Sequence, residues 1–184
     1  MSGVPVVERG ESALVLSGAM RRPHASGFLP PDAEDVYVLG VSLVTPPDRW
    51  VRQWNDRAGD RTARVAVVTT AERERDAGEG VTVATVSEAS DLTGLGIQVS
   101  NFVEATPEDA DVLVSFDSLT VLLQYVDLQS VYRFINLLTT RLEGVGARTV
   151  VFFDPETADD QSVATLRSVF STVVEDIDVD AEVP

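Results

Sequence analysis

Short apolar runs alternate along this chain with segments whose apolar residues recur every three or four positions, and this alternation is the feature that most constrains the fold. Most of the runs are continuous stretches of valine, leucine and phenylalanine, as expected for strands buried on both faces of a parallel sheet. The sequence predicts strands over residues 13–16, 36–44, 64–68, 81–86, 111–116, 148–153 and 172–174.

Helical spacing of apolar residues marks several of the segments between these strands. We predict helices over residues 47–57, from a cap at Asp91 onward, over 128–142 and over 159–170. The stretch EGVG is expected to end the third of them, because glycine commonly follows the last helical turn. Strand and helix alternation of this kind predicts an α/β fold, a three-layer, doubly wound, mostly parallel sheet with helices on both faces.

The charge of the chain is strongly negative: 30 acidic residues oppose 14 basic ones, all of them arginine, for a formal net charge of −16. A carboxylate-rich chain without lysine is typical of proteins from salt-accumulating halophiles. We expect no nucleic-acid partner, because phosphate binding needs a basic surface and the screening length at molar salt is about 3 Å. The lack of lysine also excludes Schiff-base chemistry and a lysine that binds phosphate.

Metal chemistry is narrowed by the lack of cysteine and by the single histidine, His24. Neither a disulfide framework nor a histidine or cysteine metal cluster can form, so any metal would be a hard, oxygen-bound ion. Asp32, Glu34, Asp35 and Asp117 are conceivable carboxylate ligands, but nothing in the sequence brings them together.

The organisation predicted from the sequence is a flexible N-terminus over residues 1–11, one domain over 12–175 and an acidic C-terminal tail over 176–184. No apolar run approaches the roughly 18 residues of a membrane span, and the N-terminus lacks the pattern of a secretory signal. We therefore expect a cytoplasmic protein without a membrane partner. The tail lacks the glycine turn and distal glutamate of a calcium loop, which indicates a solvated end.

The stretch DVLVSFDSLT, residues 111–120, is an apolar strand that ends in Asp117 and continues with Ser118. In phosphate-loop nucleotidases an aspartate at such a position holds the magnesium ion, although an aspartate there can also cap the next turn. The order of features over residues 117–153 resembles RecA/KaiC-like ATPases, in which an aspartate-serine-leucine signature leads into a long helix, a glycine turn and a strand. This resemblance implies a RecA-like core with Asp117 and Ser118 at the Walker B position.

The RecA/KaiC-like pattern also implies an earlier strand that ends in two glutamates, before a helix that begins with proline and an acidic residue. The stretch TPPDRW is similar to that helix start, with Pro47 and Asp48 in register. The positions of the catalytic glutamates are then Val44 and Thr45. Neither side chain can act as a base that activates water.

The same resemblance places a phosphate loop (Walker A) over SGAMRRPHAS, residues 17–26. Gly18 then stands at the first glycine of the loop, Pro23 at the second, His24 at the lysine and Ala25 at the hydroxyl residue. Proline removes an N–H group that would face phosphate, neutral histidine carries no charge, and alanine cannot bind magnesium. The helix after the loop is limited to one or two turns, so the resemblance implies a degenerate, non-catalytic site.

Two functions follow from this degenerate site. In the first, the chain is a pseudo-ATPase that acts as a protein-interaction, regulatory or adaptor module, without a cofactor, and contacts a protein partner or further copies of itself. Trp50, Tyr125 and Tyr132 are candidate interface residues, although aromatic residues at helical spacing are more often buried.

In the second function, the chain senses a nucleotide or another anion without efficient hydrolysis. Arg21, Arg22 and His24 would bind the anion, and Asp117 would hold a residual magnesium ion. Otherwise the two arginines are exposed surface residues.

Two other enzyme classes fit poorly. A phosphoacceptor receiver domain also has a strand-end aspartate, but it needs an acidic pair after its first strand and a lysine after a late one. A serine hydrolase needs a G-x-S-x-G turn, which this sequence does not contain.

Overall fold

The computed structural model describes residues 3–18 and 22–175. Within them a single sheet holds seven strands in the order β4-β3-β2-β5-β6-β1-β7, and every neighbouring pair is parallel. The strands are β1 (Ser12–Leu16), β2 (Val36–Ser42), β3 (Thr62–Thr70), β4 (Thr82–Val86), β5 (Val112–Asp117), β6 (Arg148–Phe153) and β7 (Thr172–Glu175). All seven predicted strands are present.

Helices cover both faces of the sheet, which confirms the predicted three-layer, doubly wound α/β fold, an arrangement consistent with a RecA-like core. The α-helices are α1 (Pro47–Ala58), α2 (Leu92–Glu104), α3 (Leu119–Tyr125), α4 (Leu128–Gly144) and α5 (Asp160–Arg167). Short 3-10 turns occupy Ala25–Phe28, Gly59–Arg61, Ala71–Arg73 and Pro155–Thr157. No helix in the described ranges combines the length and the apolar character that a membrane span needs.

Alternate residues of each strand serve two separate cores, as expected when a sheet is covered on both sides. In β1, Leu14 and Leu16 pack in the core under α2 to α5, whereas Ala13 and Val15 pack in the opposite core under α1. The opposite core is built around Trp54, which is fully buried, stacks on Trp50 and donates its indole N–H to Thr62 Oγ1 at 2.8 Å. The apolar runs are continuous because both faces of the sheet are buried.

Side chains and glycine set the helix ends largely as predicted. Asp91 accepts a hydrogen bond from the Gly94 N–H, so that the predicted cap of α2 is confirmed. Past the end of α4, Gly146 adopts a positive φ of 74°, which a glycine reaches without strain. The last helix ends at Arg167, three residues before its predicted end, because residues 168–170 form a separate turn.

Helix α3 is absent from the sequence predictions. Its segment is only seven residues long, and it begins after Ser118, whose hydroxyl accepts a hydrogen bond from the Val121 N–H. Ser118 is therefore an N-cap in this structure.

The segment before β1 is anchored to the domain, in contrast to the predicted flexible N-terminus. Val7 is buried, and its N–H donates to the Phe28 carbonyl at 2.9 Å. The Val7 carbonyl accepts a hydrogen bond from Arg148 Nε at 2.8 Å. The acidic tail predicted over residues 176–184 lies outside the described residues.

Candidate functional site

The candidate site lies at the carboxyl edge of the sheet, where β2 and β5 are neighbours. From these two strands the chain proceeds in opposite directions, through β3 and β4 on one side and through β6 on the other. In open α/β sheets the crevice at such a reversal is the usual ligand site. Asp117, the last residue of β5, is in register with Ser42 of β2 and Phe152 of β6.

An internal ion pair occupies this edge. Arg22 Nη2 lies 2.5 Å from Asp117 Oδ1, and the carboxylate side chain is only 11% exposed. The same guanidinium stacks over the Phe152 ring, with Arg22 Cζ 4.0 Å from the ring centroid. The Arg22–Asp117 contact is close but poorly aligned, since Asp117 Oδ1 accepts no hydrogen bond of regular geometry. A cation from the chain itself therefore stands at the carboxylate that would hold magnesium in a phosphate-loop enzyme.

His24 lies against the α1 core. Its Nδ1 accepts a hydrogen bond from the Ser26 N–H at 3.2 Å and lies 2.6 Å from Ser26 Oγ, while its ring centroid is 5.6 Å from that of Trp54. Burial, together with the positive charges of Arg57 and Arg22, lowers the pKa of His24 from 6.5 to about 4. The imidazole is therefore neutral at pH 7 and caps a turn, so it cannot supply the charge of the missing lysine.

The rest of the predicted phosphate loop packs into the protein core. Pro23 and Ala25 are buried, and the expected short helix is a single 3-10 turn, Ala25–Phe28, whose Phe28 is fully buried. The N–H groups of Ser26, Gly27 and Leu29 all donate within this segment or to His24. These groups are therefore not presented to a phosphate. Of the two candidate arginines, Arg22 reaches Asp117, and Arg21 lies outside the described residues.

Gly18 follows β1 close to a carboxylate that sequence reasoning missed. Asp154 comes directly after β6, and a Cβ added at Gly18 would lie 3.9 Å from Asp154 Oδ2. Asp154 Oδ1 accepts from the Glu156 N–H at 3.0 Å, and so it caps a turn. The sequence feature that could have identified Asp154 is its position at the end of an apolar strand, directly before Pro155.

Val44 and Thr45 lie beyond β2, which ends at Ser42 and is shorter than predicted. Val44 is exposed, and its carbonyl accepts from Arg73 Nη1 at 3.0 Å. The Thr45 N–H donates to Ser42 Oγ at 3.2 Å, and the Ser42 hydroxyl donates back to the Thr45 carbonyl at 2.6 Å. The end of β2 therefore leads into a turn that the Ser42 hydroxyl stabilises, and neither Val44 nor Thr45 supplies a carboxylate that could act as a base.

The conceivable carboxylate metal site does not assemble. Asp32, Glu34 and Asp35 precede β2 and lie at its amino end, whereas Asp117 ends the parallel neighbour β5 at the opposite edge. Across residues 3–18 and 22–175 no three histidine, cysteine or acidic side chains are grouped closely enough to hold a metal ion.

The three candidate interface aromatics differ in exposure. Trp50 is 8% exposed and stacks on Trp54 with ring centroids 5.7 Å apart, so it is a core residue and not an interface residue. Tyr132 is partly buried on α4. Tyr125, at the end of α3, is 67% exposed and remains available for contact.

Comparison with known proteins gives a family and a fold. Residues 10–176 match the model of a family of unknown function (DUF7504), and the chain belongs to that family. No curated protein matches the chain.

A solved structure of a protein from Pyrococcus horikoshii OT3 is similar, with a TM-score of 0.64 and 14% identity over 94% of this chain and 85% of that chain. In total, 150 chains of solved structures match, which indicates a widely used fold that does not by itself define an activity.

Proposed function

We propose that this chain is a non-catalytic RecA/KaiC-like module that acts through protein contacts, as an adaptor or regulatory protein of a halophilic cytoplasm. The observation that carries the proposal is the ion pair between Arg22 and Asp117 at the carboxyl edge of the sheet. The pair places a guanidinium 2.5 Å from the one carboxylate that the family resemblance assigns to magnesium, and that carboxylate is only 11% exposed.

A magnesium ion would have to displace the guanidinium before it could bind Asp117. Arg22 is held from a second side by the Phe152 ring, and cation–π contacts of this kind contribute about 0.5–1 kcal/mol or more. After displacement the ion would bind Asp117, whereas magnesium in nucleotide sites also relies on substrate phosphates and on a loop hydroxyl. Ala25 offers no hydroxyl at that position.

The groups that would bind phosphate and the base that would activate water are missing as well. The N–H groups of Ser26, Gly27 and Leu29 are used within their own turn, and His24 itself is neutral at pH 7. Val44 and Thr45 replace the two glutamates. Asp117 is thus retained but contacted by Arg22, whereas the groups of the phosphate cradle and of the catalytic base are replaced by residues with different roles, which supports a non-enzymatic function.

An anion sensor is the second candidate, and the partial exposure of Arg22 favours it. The Arg22 side chain is 25% exposed, so one side of the guanidinium is open to solvent while the other contacts Phe152 and Asp117. An anion could pair with that side without displacing Asp117.

Calorimetric titration with tripolyphosphate separates the two candidates. We expect no saturable heat up to about 1 mM, which corresponds to less than about 4 kcal/mol of binding free energy. The Arg22→Gln variant is compared with Arg52→Gln, a control at an exposed position of helix α1. Saturable binding that Arg22→Gln removes and Arg52→Gln leaves intact would establish the sensor.

A further inference from the structure

An apolar groove lies between α2 and α4, on the face of the sheet opposite α1. It has a volume of about 380 Å³, and its lining includes Gly96, Ile97, Ser100, Phe134, Leu137 and Arg141. Ile97 is 52% exposed and Leu137 is 72% exposed. Two large aliphatic side chains thus meet solvent in one concave site that has small residues on the α2 side.

The lining of the groove is less acidic than the chain as a whole, although Glu104 and Asp127 lie close to Arg141 and Arg133, respectively. The groove lining contains no carboxylate and one cation, Arg141, although the chain has a net charge of −16. Arg133 and Arg141 lie one turn on either side of Leu137, on the same face of α4. Glu104 of α2 pairs with Arg141 at 3.2 Å, but both side chains are exposed and such a pair is weak.

The helical walls of the groove favour a helical partner. Both walls are helices, and their backbone groups are already hydrogen bonded within each helix. A partner in the groove therefore forms no backbone hydrogen bonds with the walls and must pair its own N–H and C=O groups, as a helix does. The lining runs from Thr93 to Asn101 on α2 and from Phe134 to Arg141 on α4. At 1.5 Å per residue these stretches are about 12 Å and about 10.5 Å long, or roughly two helical turns each.

A second copy of this chain fits the groove poorly. A two-fold axis through Leu137 and perpendicular to α4 would place Arg133 of one copy against Arg141 of the other. A two-fold axis along α4 would place each arginine against its own equivalent. Either arrangement brings like charges together, which is unfavourable.

We propose that the groove between α2 and α4 binds an amphipathic helix of a partner protein, with apolar residues that contact Leu137 and Ile97 and carboxylates one turn away that pair with Arg133 and Arg141. This inference rests on the proposed function, that the chain acts through protein contacts, and it assigns the contact surface and the chemistry of the partner.

The test uses two fluorescein-labelled helical peptides of about 14 residues, a length at which isolated helices become measurable. Both carry two leucines one turn apart. One peptide has glutamates a turn beyond each leucine, and the other has lysines at those positions. Fluorescence anisotropy is measured against the full chain and three variants, Leu137→Asp, Arg133→Glu/Arg141→Glu and the control Arg52→Glu on α1.

The glutamate peptide is expected to bind at least about tenfold more tightly than the lysine peptide, a difference of about 1.4 kcal/mol. Leu137→Asp should weaken binding by about tenfold or more, the double arginine variant should reverse the order of the two peptides, and Arg52→Glu should change neither. Since these side chains are exposed, folding is unaffected and circular dichroism will match the parent chain.

Three results would overturn the proposal: no saturation by the glutamate peptide below about 1 mM, equal binding of both peptides, or a parent dimer that Leu137→Asp dissociates. The last result would assign the groove to a second copy. None of them bears on tripolyphosphate binding, so a failure here is distinguishable from a failure of the proposed function.

Discussion

Replacement of Asp111 by alanine is expected to lower the free energy of unfolding by about 3 kcal/mol. Asp111 precedes β5 and forms an ion pair with Arg148, whose side chain is only 5% exposed. Burial lowers the pKa of Arg148, which shows that the interior already disfavours its charge. Without Asp111, that buried guanidinium would keep its bond to the Val7 carbonyl but lose the carboxylate that it contacts directly.

The double variant Asp111→Ala/Arg148→Met provides the control. It removes both charges together, so the loss of stability should be smaller than for Asp111→Ala alone. Urea unfolding monitored by circular dichroism gives both values. A loss below about 1 kcal/mol for Asp111→Ala would mean that the nearby Arg148 charge is already well solvated.

The second large effect is a loss of stability in acid that depends on His24. Its pKa is about 4 in the folded chain and near 6.5 when unfolded. Between these two pH values the unfolded state binds a proton at His24 and the folded state does not. Stability should therefore fall as the pH drops from about 6.5 to 4, and the full effect is about 3 kcal/mol. At pH 7.5 both states are neutral and the effect vanishes.

His24→Asn isolates this contribution from the titration of the many carboxylates. Asparagine retains an acceptor for the Ser26 N–H but has no proton to gain. Between pH 7.5 and pH 4, the parent chain should lose about 3 kcal/mol more than His24→Asn. Parallel stability profiles for the two proteins would show that His24 becomes protonated in the folded state as easily as in water.

The sheet could be predicted from the sequence because a strand buried on both faces leaves a continuous apolar run. The runs in β1, β5 and β6 are of this kind, and every residue of these three strands is buried. Helix α3 could not be predicted in the same way, since LTVLLQY is short and apolar without a helical period that distinguishes it from a strand.

The residues of the candidate site could be predicted from the sequence, but the contacts between them could not. Asp117 stands out as a strand-end carboxylate, and Arg22 stands out as a cation in the loop after β1. Their pairing depends on β1 and β5 being separated by β6 in the sheet, with Phe152 of β6 between them to support the guanidinium. No local pattern contains that order of strands.

His24 shows the opposite limit of sequence reasoning. As an isolated histidine in a loop, His24 is a reasonable anion ligand. The fold, however, places it beside Trp54, which is distant in sequence, and close to two arginine side chains. Burial and that positive field, both tertiary properties, keep it neutral. A residue type alone does not establish a binding role when its charge depends on the surroundings.

The most direct test of the proposed non-catalytic function is isothermal calorimetry of the full chain with ATP and magnesium in molar potassium chloride, with Asp117→Ala measured alongside. The Arg22–Asp117 pair predicts no saturable heat for either protein. Magnesium-dependent binding at micromolar affinity, about 8 kcal/mol, that disappears in Asp117→Ala would contradict the account and show that the carboxylate still serves a nucleotide site.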